Sequence, residues 1–250
     1  MAEEREVEGS PANLERANFE RPNLERPNRG GHQLIPRPPG LRPGGPPPWA
    51  DLDAAARHFT LSEVRERLAV LPPPMPSELF DATSRAAAVL VPIYEDDGEA
   101  RVILTKRPDT MTSHRGEIAF PGGKRDPGDV SLDAAALREA QEEIGLPPAD
   151  VELGGELDSL STVASQFTIT PFVGLLSAVP ELVPNPREVE AAFAVPISEL
   201  LHPDAYWEEQ WELWGDWRSM VFFVLPGETV WGATARILAR LLGFLTAHRV

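Results

Sequence analysis

The stretch "FPGGKRDPGDVSLDAAALREAQEEIGL", Phe120 to Leu146, restricts the fold more tightly than any other part of the chain. It opens on two glycines, bends through a proline and continues into an alanine-rich run that Gly145 can stop. Ser131 is a suitable helix N-cap, and Gly145 can close the last turn in the left-handed conformation. At 3.6 residues per turn, Glu139, Glu142 and Glu143 fall within an arc of roughly 100°. Leu132, Ala136 and Ala140 lie beside that arc, and the small alanines let a sheet approach. Three carboxylates on one stripe repel one another. Either solvent screens them or a cation sits between them, and oxygen-only ligands with open positions suit Mg²⁺ or Mn²⁺. Gly122 and Gly123 permit a backbone bend close to such an ion or to phosphates. Arg138 can fork onto a carboxylate and fix its rotamer.

Charge narrows the partners. The net charge of −16 argues against a general nucleic-acid binder, which would present a basic surface. Between Arg101 and Arg125, however, six Lys/Arg face two acids, Asp109 and Glu117. A small polyanion can be steered to that window. Arg107, Arg115 and Lys124 are its candidate phosphate contacts, with His114 a weaker one. No apolar run reaches the roughly 18 residues of a membrane span. The acidic "MAEEREVEGS" start does not resemble a secretory signal. The absence of cysteine removes disulfides and Cys-based zinc sites. A soluble cytoplasmic protein without a membrane partner is the simplest reading.

Residues 1–48 read as a disordered leader, because "LIPRPPGLRPGGPPPW" is too rich in Pro and Gly to build a core. "ANLERANFERPNLERPN" within it is a short pentapeptide-like repeat, with too few units for a stacked solenoid. Residues 49–80 read as a helical connector, with Thr60 or Ser62 as a cap. From 81 to 250 the pattern is globular. "AAAVLVPIY" and "ARVILTKR" flank the turn "EDDGE" as a hairpin. Further strands are expected in "DVELGGELDSL", "FTITPFVGLL", "EVEAAFAVP" and "SMVFFVL", and a closing helix in "TVWGATARILARLLGFLTAH". Strands around one central helix, with a second helix closing the chain, indicate a mixed sheet between helices. The tryptophans of "YWEEQWELWGDW" (Trp207, Trp211, Trp214 and Trp217) have three roles open to them. These are core packing, stacking on a base, and a homodimer contact.

"GGKRDPGDVSLDAAALREAQEEIGL" resembles the signature of the Nudix hydrolases, GX5EX7REUXEEXGU with U aliphatic. Gly123, Arg138, Glu139, Ala140, Glu142, Glu143, Gly145 and Leu146 match. Asp129 replaces the first Glu, and one inserted residue moves it out of register, which leaves it without an assigned role. The same departure resembles the coenzyme A pyrophosphatase branch, which commonly reads FPGGK-x-DP-x-D. "ILTKRPDTMTSHRGEIAFPGG" is similar to that branch's motif LLTXR[SA]X3RX3GX3FPGG, with Pro108 and Thr112 departing from it. "NPREVEAAFAVPISELL" and "VWGATARIL" also look like the branch.

The resemblance implies an α/β Nudix fold, a mixed β-sheet in an α/β/α sandwich. It implies a small nucleotide substrate, cleaved at a diphosphate with Mg²⁺ or Mn²⁺. Coenzyme A or its acyl derivatives are the expected substrates. ADP-ribose, a dinucleotide, a nucleoside triphosphate and a silent nucleotide-sensing module are the alternatives. The implied metal ligands are Glu139, Glu142 and Glu143, with a Gly122 or Gly123 carbonyl in addition, and Arg138 orients them. Glu142, Glu188 and Glu190 are all candidates for the general base.

Overall fold

The computed structural model describes residues 29–75, 84–111, 114–162 and 166–247. The pentapeptide-like repeat and Thr112 lie outside these residues. The chain runs through β1 (Arg42–Pro43), α1 (Leu61–Leu68), β2 (Arg85–Asp96), β3 (Glu99–Lys106), β4 (Ile118–Ala119) and β5 (Gly122–Lys124). It continues through α2 (Leu132–Ile144), β6 (Val151–Glu156), β7 (Leu160–Thr162), β8 (Phe167–Leu176), β9 (Ala191–Pro196) and α3 (Ile197–Leu200). It closes with β10 (Tyr206–Leu213), β11 (Asp216–Val224), β12 (Thr229–Trp231) and α4 (Gly232–Thr246).

The larger sheet is mixed. β2 and β8 run parallel at its centre, with β3, β5, β6, β7, β4 and β9 added antiparallel around them. The expected hairpin is β2–β3: Asp96 pairs Glu99 across Asp97 and Gly98, both at positive φ. Asp-Gly favours such a turn because both central residues must be left-handed. The central strands are almost wholly apolar over residues 87–94 and 171–176, because both faces are covered there. Ala88, Leu90, Ile103 and Phe172 pack against Ala136 and Ala140 of α2. Val91, Ile93, Leu104 and Val173 face the opposite way, into a core with Val64 of α1 and Leu238 and Leu241 of α4. The sheet is thus sandwiched between helices, and α2 is set by its Ala face tightly onto β2 and β5.

A second sheet, β1–β10–β11–β12, follows an antiparallel path. Three of its strands were not assigned from sequence: β1 lies in the stretch read as leader, β12 in the stretch read as the start of the closing helix, and β10 in a stretch given no strand. β10 is the tryptophan stripe itself, turned into β11 at Trp214 and Gly215, both at positive φ. Trp207 and Trp211 donate to the carboxylate of Glu209, which also accepts from Arg37 and is 2% exposed. These two tryptophans are therefore committed to packing. Trp217 lies under the Arg42 guanidinium, 3.8 Å from the ring centre.

The leader's second part, residues 29–48, has almost no regular structure, as its Pro content requires, but it lies against this sheet. Ile35 is buried beside Trp211 and Phe222. Arg29 pairs with Glu199, and Arg42 and Pro43 form β1 on β10. Within the connector, Thr60 makes a capping box with Glu63 at the start of α1. Trp49, Phe59 and Val64 are wholly enclosed in the main core, so this segment packs as part of the domain. No helix among the described residues is long and apolar enough to cross a membrane.

Candidate active site

Helix α2 delivers the acids. The Ser131 hydroxyl accepts from Ala134 N at 3.4 Å, and Gly145 ends the helix at φ 71°. Between these caps, Ala135, Ala136, Ala140 and Ile144 are buried against the sheet. The adjoining face carries Glu139 and Glu143 toward the glycine turn. Glu143 is 5% exposed and accepts a hydrogen bond from Gly122 N at 3.1 Å. The Glu139 carboxylate lies over Gly123, where any Cβ would come within 2.4 Å of its Oε1. A Cβ on Gly122 would meet the Ala88 carbonyl at 2.4 Å. Gly122 is thus required on steric grounds by the sheet behind it, and a side chain at Gly123 would displace the Glu139 carboxylate.

A third acid arrives from the loop before β9. Asn185 N donates to the Glu143 carbonyl at 2.8 Å and Val183 N to that of Ile144 at 2.8 Å, which ties the loop to the last turn of α2. Val189 is buried in the α2 core, and Glu188 N returns to the Asn185 carbonyl. Ligand oxygens of Glu139, Glu143 and Glu188 consequently lie within 4.8 Å of one another. Glu142, expected in this set, is not part of it. It is exposed, and its Oε2 accepts from Arg138 Nη1 at 3.0 Å, one turn away. Glu190 is also drawn off, with its carboxylate 3.7 Å from Lys106 Nζ and its N–H on the Lys106 carbonyl.

Arg138 is the hub of the helix face. Its guanidinium takes both oxygens of Asp129, at 2.9 and 3.0 Å, together with Glu139 at 3.1 Å and the Lys124 carbonyl at 3.2 Å. Asp129, left without a role by the sequence, is therefore the carboxylate onto which Arg138 forks. The Arg138 bond, then the Asp126 N–H, holds the Asp129 carboxyl below the ordinary range. The signal that could have found it is chemical: a half-enclosed guanidinium beside three acids needs a planar partner.

Burial works the other way on the cluster. It pushes the Glu143 carboxyl up to about 7, a shift the Gly122 N–H opposes and Glu139 reinforces. Burial also raises Glu139, with Arg138 offsetting part of the rise. A buried, all-oxygen group that resists full ionisation lacks positive charge, and a hard divalent cation supplies it in kind.

The glycine turn opens on a cleft of about 860 Å³ between the two sheets. Arg107, His114 and Lys124 line it on the glycine side, and Trp214, Arg218 and Arg236 on the side of β11 and α4. His114 is bonded to Glu117 at 2.8 Å, and that bond raises its pKa. Arg115 is exposed, bonds the Met111 carbonyl at 2.6 Å and is not among the lining residues. Of the three basic residues named from sequence, Arg107 and Lys124 line the cleft and Arg115 does not; Arg218 and Arg236, not named from sequence, line it as well.

The chain resembles known proteins over much of its length. The NUDIX domain model matches residues 84–215. The chain is 38% identical over 183 residues to the uncharacterized Nudix hydrolase NudL of Photorhabdus laumondii, covering 73% of this chain and 96% of the relative. It is 38% identical over 165 residues to the NudL of Yersinia pestis, covering 66% and 82%. Among solved structures, a Nudix hydrolase from M. smegmatis, RenU, aligns at 26% identity and a TM-score of 0.41, over 48% of this chain and 74% of that one. The chain belongs to the Nudix hydrolase family.

Proposed function

We propose that this Nudix hydrolase cleaves the diphosphate of coenzyme A or its acyl derivatives, yielding 3′,5′-ADP and 4′-phosphopantetheine. The observation that carries the reading is the carboxylate cluster packed against a glycine turn that itself lines a cleft rich in basic side chains. The choice of coenzyme A is supported by the "ILTKR…GEIAFPGG" motif and by cations sufficient for more than one phosphate group.

Glu139, Glu143 and Glu188 would hold Mg²⁺ or Mn²⁺. An ion held there would neutralise phosphate oxygens and acidify a water. Arg107 and Lys124 bind the diphosphate oxygens, and the bare backbone of Gly122 and Gly123 lets them approach. Arg138 is a positioning residue: anchored by Asp129, it fixes the rotamer of Glu139. Glu142, outside the cluster and exposed, takes the proton from the attacking water. Positioning and charge stabilisation then supply most of the rate.

The test is a panel with Mg²⁺ or Mn²⁺, followed by product masses, using coenzyme A, an acyl-coenzyme A, ADP-ribose, a dinucleoside polyphosphate and a nucleoside triphosphate. Release of 3′,5′-ADP and 4′-phosphopantetheine as the fastest reaction is expected. Faster turnover of any other class replaces the substrate assignment.

A further inference from the structure

The wall of the cleft opposite the glycine turn has charge that the cleavage chemistry does not use. Arg218 projects from β11 and Arg236 from the first turns of α4, and both line the cleft. Among the described residues no carboxylate lies within 4.0 Å of Arg236, and Arg218 has only Asp216, at a loose 3.6 Å. The arginines do not neutralise each other either. Arg236 is exposed by surface area, yet protein atoms crowd its guanidinium; that crowding, then repulsion from Arg240 and Arg218, lowers its pKa.

Two further donors on this wall lack acceptors. Arg218 Nε and Trp231 Nε1 are both buried without a hydrogen-bond partner. Buried N–H groups are normally paired, and an unpaired one has a cost that a ligand acceptor removes. Helix α4 adds to the field. Its N-cap, Trp231, provides no side-chain cap, and Gly232, Ala233 and Thr234 line the cleft. The positive end of the helix dipole there adds to the attraction for an anion in the cleft, with Arg236 one turn further along. Glu117 is the one carboxylate among the described residues lining the cleft, and it is taken by His114. Apolar surface beside the arginines, from Trp214 and Met220, suits a ring next to the charge.

We propose that Arg218 and Arg236 form an anion subsite for a phosphate that the substrate carries on its nucleoside, apart from the diphosphate being cleaved. The subsite deepens the functional reading above and rests on its placement of the nucleotide in this cleft. Arg107 and Lys124 hold the scissile group on the near wall, and the far pair selects substrates with the additional charge. Nucleotides lacking that phosphate leave the far wall uncompensated.

The experiment is calorimetric binding of adenosine 3′,5′-bisphosphate against AMP, for the full chain, Arg218→Gln, Arg236→Gln and the double variant. The two positions lie on separate elements, so either single variant serves where the other disturbs folding. The wild type is expected to bind the bisphosphate about tenfold more tightly than AMP, as for a charge-assisted contact. Each single variant should narrow that gap and the double variant close it, while Arg236→Lys, which keeps the charge, retains part of it. Equal binding of both nucleotides by the wild type, or a preference intact in the double variant, overturns the subsite. Loss of the preference in an enzyme that does not hydrolyse coenzyme A leaves the subsite standing and removes only the substrate assignment.

Discussion

Two walls of the site, the α2 face behind the glycine turn and the far side of the cleft in front of it, handle charge in opposite ways. On the α2 side, acids converge: Glu139, Glu143 and Glu188 meet within 4.8 Å, and Arg138 is shared with Asp129 and Glu142 before it reaches them. On the β11–α4 side, Arg218 and Arg236 converge with little carboxylate nearby. Neither wall is electrostatically complete, and each is incomplete in the sense that the other's ligand would mend. A cation bound to a polyphosphate satisfies both at once. Under the proposed function the contrast also separates roles: the acidic wall would set rate and the basic wall the choice of substrate.

The harshest way to break the contrast is at its most enclosed acid. Glu143→Gln keeps the shape and removes the charge. Its expected effect is a fall in kcat of about 10³-fold, the scale of several kcal/mol of lost charge stabilisation, measured with the preferred substrate under saturating Mn²⁺. Activity within a few-fold of wild type would show that the acidic wall is not the catalytic one.

A sharper comparison lies between Glu188 and Glu142. Glu188→Gln is expected to weaken Mn²⁺ binding about tenfold or more, in the manner of a lost charged contact. Glu142→Gln should leave cation affinity near wild type while lowering kcat about 10²-fold, as for a lost general base. Titration with Mn²⁺ beside steady-state kinetics reads both. The reverse pattern would mean that Glu142 leaves Arg138 to join the ion.

Asp129→Asn is milder. It leaves Arg138 one poor partner in place of a bidentate one, and the misplaced Glu139 should lower kcat about tenfold with KM little changed. A change in KM alone would instead make the Asp129–Arg138 pair a substrate contact.

The smallest signal is thermal. Glu143 has its folded-state carboxyl raised to about 7, well above an unfolded glutamate. The folded protein therefore binds the proton more tightly than the unfolded chain. The resulting stability is present in full below the unfolded value near 4.5 and is lost as pH rises toward 7. The shift amounts to about 3 kcal/mol at most. In EDTA, Tm should fall by several degrees between pH 5 and pH 8, and Mg²⁺ should restore it at pH 8. A Tm that rises over that range, or the same fall in Glu143→Gln, would sever the acid from the effect.

Much of this was legible in the chain itself, and the reasons are local. The caps Ser131 and Gly145, the Ala face and the Asp97-Gly98 turn act within a few residues of themselves, so α2 and the β2–β3 hairpin follow from sequence. The glycine pair could be linked to the acids because both belong to one short segment. Long-range contacts were another matter. β10 pairs through Glu209 with Arg37, a partner 172 residues away. The insertion before α2 concealed the fork of Arg138 on Asp129, since helical spacing says nothing about a loop residue folding back. Glu188 was a candidate base, but its convergence with Glu139 and Glu143 depends on Asn185 gripping the end of α2, a tertiary contact that spacing cannot express. Arg236 lay in a recognised stretch, "VWGATARIL", yet nothing in that stretch says which cavity its helix faces.

The two-residue strand β1 is small, but β10 has no other neighbour on that side. Arg42 and Pro43 occupy hydrogen-bonding positions that would otherwise be open, and the proline presents no N–H to continue the ladder outward. A protein that keeps the C-terminal elements but begins at residue 84 would uncover this margin and empty the niche filled by Trp49. Such a fragment is expected to pair this margin with its own copies and precipitate where the full chain does not, which light scattering on the two side by side would read.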